Sequence, residues 1–170
     1  SRKHRMFKQQ TENDLFTGIS LFTGGGVGDL ALRACGVRVL IGNELLPDRA
    51  SVYKTNFPET KMIVGDIRDL KNTIIDETRK IIAKKPLDIL FATPPCQGMS
   101  KNGKGKLLNG IRAGKKPRFD ERNRLALDAI EVAVALQPRL VVFENVPEME
   151  NTLIQKNDGS VVELLAEKIG

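Results

Sequence analysis

One segment of the chain reads Phe91-Ala92-Thr93-Pro94-Pro95-Cys96-Gln97-Gly98-Met99-Ser100. The apolar run that leads into it, residues 87–92, predicts a buried β-strand. Because proline lacks the N–H group that a sheet ladder needs, Pro94 and Pro95 end this strand. Cys96 then stands at the carboxyl end of a strand, which is where open α/β sheets bind their ligands. The segment therefore makes Cys96 a candidate nucleophile.

The rest of the chain alternates between short apolar runs and helical patterns. Five runs predict β-strands: 15–22, 38–43, 61–64, 87–92 and 139–143. Five segments predict helices: 30–36, 47–56, 69–83, 125–137 and 160–169. Residues 151–158 are predicted to form a loop. This alternation favours a three-layer α/β fold with a mostly parallel sheet.

A glycine-rich segment, residues 23–29, follows the first predicted strand and precedes the first predicted helix. Glycines in such a Rossmann-like turn let the backbone bend sharply and approach a cofactor closely, although a tight turn alone would also explain them. Glu44 follows the second strand, about twenty residues later, where an acid commonly binds the ribose hydroxyls of an adenosine-containing cofactor. A solvated loop carboxylate is the alternative for Glu44. Asp66, after the third strand, could accept a hydrogen bond from an exocyclic amine or cap the next helix.

Composition narrows the class of protein. The 170 residues suffice for one domain, with residues 1–14 as a polar N-terminal arm and 15–170 as the folded domain. The net charge of +6 favours an anionic partner such as nucleic acid. Two cysteines and one histidine predict neither a disulfide framework nor a metal site, and Cys35 is expected to be a buried core residue. No apolar run approaches the roughly 20 residues of a membrane helix, so no membrane partner is expected.

Residues 101–124 form an unusual basic segment. They hold nine basic residues, two acids and four glycines. Their position after Cys96 predicts a mobile cover that contacts phosphates. A solvated insertion is the alternative interpretation.

Five motifs together resemble the DNA (cytosine-5) methyltransferase family: Phe22-Thr23-Gly24-Gly25-Gly26-Val27-Gly28, Asn43-Glu44, Gly65-Asp66-Ile67, Pro94-Pro95-Cys96-Gln97 and Glu144-Asn145-Val146. They occur in the order and spacing of that family and span nearly all of residues 18–150. The resemblance implies the Rossmann-like sheet of S-adenosylmethionine-dependent methyltransferases, here incomplete at the C-terminus. It also implies an enzyme, a DNA (cytosine-5-)-methyltransferase, that transfers a methyl group from S-adenosylmethionine to C5 of cytosine. A modification methylase of a restriction–modification system is the expected setting.

The resemblance implies three catalytic residues. Cys96 would attack C6 of a flipped-out cytosine, because the covalent adduct makes C5 nucleophilic. Glu144 would form a hydrogen bond to N3 of the ring and share a proton with it as charge develops. The resemblance implies that Glu144 is buried at the strand end, which would favour this role. Asn145 would orient the loop.

The resemblance also implies binding residues. A pocket for S-adenosylmethionine is expected from eight of them: Phe22, Gly24, Gly26, Glu44, Asp66, Ile67, Pro95 and Leu125. Within it, Glu44 would bind the ribose hydroxyls, while Asp66 and Ile67 would lie against the adenine. Double-stranded DNA is the implied partner, and five residues are expected to contact it: Gln97, Ser100, Lys101, Lys104 and Arg122. No metal is expected.

Several alternatives stay open. An RNA cytosine-5 methyltransferase would share this core, and a catalytically incomplete fragment could bind cofactor or DNA only. A nicotinamide-dependent oxidoreductase would explain the glycine loop but not Pro94-Pro95-Cys96, and methylases of exocyclic amines carry an aromatic residue where Cys96 stands. The chain departs from the family pattern at Ser20, where Asp is usual, and it reaches Gly170 before any target-recognition domain. The expectation is therefore a catalytic half, completed by a C-terminal half or a second chain, in a bacterial cytoplasm (with the nucleoid) or a nucleus.

Overall fold

A computed structural model of the chain describes residues 16–95, 121–145, 153–155 and 162–164. Seven strands occur in these ranges: β1 Phe16–Leu21, β2 Val37–Glu44, β3 Lys61–Val64, β4 Ile89–Ala92, β5 Leu140–Phe143, β6 Leu153–Gln155 and β7 Val162–Leu164. Four α-helices occur there as well: α1 Val27–Ala34, α2 Pro47–Asn56, α3 Ile67–Ile82 and α4 Leu125–Leu136. A 3₁₀ turn, Glu121–Arg124, leads directly into α4. The N-terminal arm predicted at residues 1–14 lies outside the described residues.

Five of the strands form one parallel sheet in the order β3-β2-β1-β4-β5. Strands β2 and β3 are added on one side of β1, and strands β4 and β5 are added on its other side. The strand order therefore switches between the neighbouring strands β1 and β4. Such a switch point leaves a crevice outside the carboxyl ends of the strands. The predicted α/β architecture with a parallel sheet is confirmed, and all five predicted strands are present.

Helices cover both faces of this sheet. Leu90 and Ala92 of β4 join the main core cluster with residues of α3 and α4, such as Ile74 and Ala129. Phe91 points the other way, because successive side chains of a strand alternate between faces. Its ring lies against Gly28 of α1, where an added Cβ would come within 2.6 Å of the ring. The sheet is therefore the middle of three layers.

The caps of the helices agree with local sequence signals. Pro47 occupies the first turn of α2, where its missing N–H costs nothing. Asp66 caps α3 by accepting a hydrogen bond from the Arg68 backbone N–H at 2.9 Å. Gly36, with a φ of 77°, follows the end of α1. These ends set where the loops at the sheet edge begin.

Two parts of the prediction for the C-terminal region are wrong. Residues 153–155 were expected in a loop and residues 162–164 in a helix, yet they form β6 and β7, an antiparallel pair. Short apolar runs fit either helix or strand by periodicity, and here the backbone pairing of two nearby runs decides for strand.

Cys35 was expected in the core, but it is exposed. The helix ends at Ala34, so Cys35 caps it at the surface instead of continuing an apolar face. In the described part of the chain, no helix combines the length and apolar character needed to cross a membrane.

Candidate functional site

The loops that follow β1 and β4 are joined at the carboxyl edge of the sheet. The Thr93 backbone N–H donates to the carbonyl of Leu21 at 3.2 Å, and the Thr93 hydroxyl donates to the carbonyl of Phe22 at 2.8 Å. Phe22 has a φ of 60°, a conformation rare for a non-glycine residue. Thr93 therefore holds the strained start of the glycine loop against the segment that carries Pro94 and Pro95.

The loops after β4 and β5 are joined in the same way. The Glu144 backbone N–H donates to the carbonyl of Ala92 at 3.0 Å. The Asn145 side-chain amide donates to the carbonyl of Pro94 at 3.4 Å. Two motifs that lie about fifty residues apart in sequence thus meet at one edge, one strand apart.

Glu44 connects the glycine loop to the end of β2. Its carboxylate accepts from the Gly24 backbone N–H at 2.7 Å and from the Leu46 backbone N–H at 2.9 Å. The residue is only 5% exposed, and these two charge-assisted bonds offset part of the cost of burying the charge. A carboxylate has about four lone-pair sites, so two stay open to hydroxyl donors from a ligand.

Asp66 takes the helix-capping role that the sequence allowed for its position. It caps α3, and its carboxylate also forms a two-pronged ion pair with the Arg68 guanidinium, at 3.0 Å to Nε and 2.6 Å to Nη2. The hydrogen bond from the Arg68 side chain is the main reason that the pKa of Asp66 lies below its usual value. The neighbouring Ile67 is buried, with 2% of its surface exposed.

Two clefts open at this edge among the described residues. The smaller one has a volume of about 430 Å³, and the residues predicted from sequence that line it are Phe22, Glu44, Asp66, Ile67, Pro95, Arg122 and Leu125. The larger one has a volume of about 780 Å³, and those that line it are Phe22, Gly24, Pro95, Glu144 and Asn145. Both clefts share the walls formed by Phe22, Arg49, Thr93 and Pro95. Ten of the eleven described residues that the sequence predicted for the site therefore line one cleft or both.

Gly26 is the exception, because it lines neither cleft. It stands before α1 with a φ of 92°, and a Cβ there would come within 3.0 Å of Tyr53 and closer still to the ring of Phe57. Gly24, by contrast, has open space around its missing Cβ. The structure gives the two glycines different tasks: Gly26 lets α1 pack on α2, and Gly24 keeps the cleft open.

The expected burial of Glu144 is wrong. The residue is exposed, since it follows β5, an edge strand of the described sheet, and it lines the larger cleft. Cys96, Gln97, Ser100, Lys101 and Lys104 lie outside the described residues, as does most of the basic segment. Among the described residues, no group of His, Cys, Asp or Glu side chains is arranged to hold a metal ion.

The sequence reasoning missed Arg49 and Thr93. Arg49 lies in the first turn of α2 and is exposed, and its side chain makes no hydrogen bond or ion pair with other residues in the described ranges. No local sequence signal distinguished Arg49 from any other arginine in an exposed helix turn. Thr93 did have a signal, since it lies between a strand end and Pro94.

The clefts fit an adenosine-containing sulfonium cofactor. The smaller cleft offers a buried carboxylate, Glu44, for vicinal hydroxyls and apolar walls from Ile67 and Leu125 for a base. The adjoining cleft offers the backbone of the glycine loop, where the bare Gly24 leaves space. A pocket of this size with few polar groups is typical of a small-molecule site.

Comparisons with known proteins identify a family for this chain. Residues 16–168 match the model of the family described as C-5 cytosine-specific DNA methylase. Type II methyltransferase M1.HgaI of Avibacterium volantium is 36% identical over 130 residues, which are 76% of this chain and 34% of the relative. Type II methyltransferase M.NgoPII of Neisseria gonorrhoeae is 33% identical over 147 residues, which are 86% of this chain and 37% of the relative.

A solved structure has the same fold. It is a prophage-encoded Escherichia coli protein assigned as a DNA modification methyltransferase, with a TM-score of 0.59 and 26% sequence identity. The match covers 79% of this chain and 33% of that protein. The chain spans about a third of the length of these relatives.

Proposed function

The chain belongs to the C-5 cytosine-specific DNA methylase family, and from that premise we propose that it is the part of a DNA (cytosine-5)-methyltransferase that binds the methyl donor and carries the nucleophile. One observation supports this most directly: the Pro94-Pro95 and Glu144-Asn145 motifs and the glycine loop are joined at a single sheet edge. The hydrogen bonds from Thr93 to Phe22 and from Asn145 to Pro94 make that connection.

The proposed cofactor is S-adenosylmethionine, which supplies an electrophilic methyl group on a sulfonium centre. Glu44 would accept hydrogen bonds from the ribose hydroxyls while it keeps its bonds to the Gly24 and Leu46 backbone. Ile67 would pack on the adenine, and Asp66, held by Arg68, would accept from its amino group. Arg49, at the junction of the two clefts, would pair with the carboxylate of the methionine portion.

Cys96 is the proposed nucleophile, because it directly follows Pro95, which lines both clefts. Its thiolate would form a bond to C6 of cytosine, and the electrons of the C5–C6 double bond would then make C5 nucleophilic. After C5 is methylated, loss of the C5 proton to a base would restore the double bond and expel the thiolate. C6 is covered by its neighbours in a stacked duplex, so the target base must be flipped out.

Glu144 and Asn145 are proposed to act on the ring and on the loop, respectively. The Glu144 carboxyl faces the larger cleft, where it would hold a proton at N3 while negative charge develops on the ring. Its exposure in the described residues means that substrate, rather than the protein core, would exclude water from it. Asn145 would fix the loop that carries Cys96 through its bond to the Pro94 carbonyl.

Double-stranded DNA is the proposed partner. Gln97, Ser100, Lys101, Lys104 and Arg122 are proposed to contact it, because a basic segment beside the nucleophile would bind phosphates. The relatives are named type II methyltransferases, which supports a modification role beside the DNA of a bacterial cytoplasm. Since the chain spans about a third of their length, further polypeptide, in the same chain or a second one, would supply target recognition.

A covalent trapping experiment tests this function. The chain, with a complementing C-terminal portion where needed, is incubated with S-adenosylmethionine and duplex DNA that contains 5-fluorocytosine. Fluorine at C5 cannot leave as a proton would, so Cys96 should stay bonded to the DNA and give a complex stable to denaturant. Cys96→Ser should abolish the complex, while the matched variant Cys35→Ser should keep it. An equally stable complex with Cys96→Ser would refute the assignment.

A further inference from the structure

A buried carboxylate lies beneath the glycine loop and outside both clefts. Asp29, in the first turn of α1, is 1% exposed. It accepts a hydrogen bond from the Ser20 hydroxyl of β1 at 2.7 Å and another from the Tyr53 hydroxyl of α2. Burial raises the pKa of Asp29 above its usual value, against the opposing effect of these two donors. One carboxylate thus joins three elements of the fold at a cost in desolvation.

These three elements surround the loop that contains residues 22–26. Ser20 precedes the loop by two residues and Asp29 follows it by three, so their hydrogen bond closes the base of the loop. Tyr53 supports it from below, since its ring and the stacked ring of Phe57 pack directly against Gly26. On the far side, the Gly24 N–H reaches the Glu44 carboxylate. The loop is therefore fixed at its ends, floor and tip.

We propose that Asp29 is a positioning residue for the cofactor site. It holds the glycine loop so that Gly24 presents its bare backbone to the cleft and its N–H to Glu44. The carboxylate acts through the loop, because Asp29 lines neither cleft. This inference rests on the proposed function for the identity of the ligand, but the geometry of the loop can be tested without any ligand.

Asparagine and alanine at position 29 separate a positioning role from a general effect on stability. Asp29→Asn keeps the shape, and the Ser20 and Tyr53 hydroxyls can rotate to donate to its oxygen and accept from its amide, so it should keep S-adenosylmethionine affinity within about threefold. Asp29→Ala leaves both hydroxyls without this partner, and the affinity should fall by about tenfold or more. Thr78→Ala is a matched control. It removes another fully buried hydroxyl, bonded to the Ile74 carbonyl in α3, far from the loop in sequence.

Tyr53→Phe provides a second route if Asp29→Ala does not fold. It deletes one donor to Asp29 and keeps the ring stacked on Phe57. Calorimetry should then show affinity for S-adenosylmethionine lowered by about threefold or more, whereas Thr78→Ala should leave that affinity unchanged. A reciprocal exchange, Ser20→Asp with Asp29→Ser, moves the carboxylate to β1 and should recover part of the affinity that Asp29→Ala loses.

The experiment combines calorimetry with amide hydrogen exchange on the free proteins. Asp29→Ala and Tyr53→Phe should speed exchange at residues 24–30 and leave β3 and α3 unchanged, whereas Thr78→Ala should affect α3 and not the loop. Affinity retained within threefold in Asp29→Ala, or exchange that rises equally throughout the domain, would overturn the positioning role. If the wild-type protein binds no S-adenosylmethionine, the proposed function fails, and loop exchange alone still decides whether Asp29 holds the loop.

Discussion

Gly26 and Gly24 lie two residues apart, yet the structure predicts opposite consequences for the same substitution. In Gly26→Ala, the new methyl group would press on Phe57, and the backbone would have to keep a φ of 92°. Phe57 cannot easily move away, since its ring stacks on Tyr53 at 4.6 Å and the Arg33 guanidinium covers it at 4.1 Å. Gly24→Ala meets no atom within 4 Å and has a φ of 55°.

The expected losses of stability follow from two costs, the strain of a positive φ and the steric contact of the new methyl group. A left-handed conformation costs a non-glycine residue about 1–2 kcal/mol, and both variants bear that cost. Overpacking a rigid contact adds about 1–3 kcal/mol, and only Gly26→Ala bears this one. We therefore expect Gly26→Ala to lower the free energy of unfolding by about 2–5 kcal/mol and Gly24→Ala by about 1–2 kcal/mol.

Urea unfolding followed by circular dichroism measures the difference. With slopes of about 1–3 kcal/mol per molar, the midpoint of Gly26→Ala should lie roughly 1 M below that of Gly24→Ala. Binding should be affected even where stability is largely kept. The methyl group of Gly24→Ala enters the larger cleft, so this variant should bind S-adenosylmethionine more weakly although it is still well folded. Coincident unfolding midpoints for the two variants would refute the assignment of Gly26 to packing.

Three further changes have defined outcomes. Glu44→Gln replaces one carboxylate oxygen with an NH₂ group, which would face a backbone N–H and lose that hydrogen bond. The free energy of unfolding in urea should therefore fall by about 1.5–3 kcal/mol, and measurable cofactor binding should be lost. Arg49→Ala should weaken binding of S-adenosylmethionine but not of 5′-methylthioadenosine, which has no carboxylate, while Arg38→Ala should change neither; equal loss for both ligands would contradict the pairing. The hydrogen bond from the Thr17 backbone N–H is the main cause of the lowered pKa of Asp88. Asp88→Asn removes this charged acceptor, so the loss in the free energy of unfolding should be largest above about pH 4. The loss should shrink as the pH falls through the pKa that Asp88 has in the folded protein. A constant difference from pH 5 to pH 2 would count against that role.

The sequence predicted the sheet well because its signals are local. Apolar runs of four to eight residues gave the strands, and Pro47, Asp66 and Gly36 agree with the ends of the helices observed. The same reasoning failed for β6 and β7, where two three-residue strands pair with each other. It also failed for Cys35, whose burial depended on where the helix ends rather than on its pattern.

The motifs also identified most of the candidate site, because ligands bind where parallel strands end. The placement of Glu44, Asp66 and Pro95 follows from their positions after β2, β3 and β4. Arg49 was not found in this way, since nothing local separates an arginine that lines a cleft from one on any exposed helix turn. Its location depends on how α2 packs against the sheet.

By itself, the sequence determined the five strands of the parallel sheet, the four helices between them and the family to which the chain belongs. Apolar residues repeat every 2 residues in strands and every 3.6 residues in helices, and proline and glycine mark where these elements end. These signals predict secondary structure because each depends only on residues close together in the chain. Only the tertiary structure decided that Gly26 packs while Gly24 lines a cleft, that Asn145 reaches Pro94, and that Asp29 joins three elements. These contacts join residues that are well separated in the chain, such as Asn145 with Pro94 and Tyr53 with Asp29. The distances between such residues are set by the packing of the whole domain.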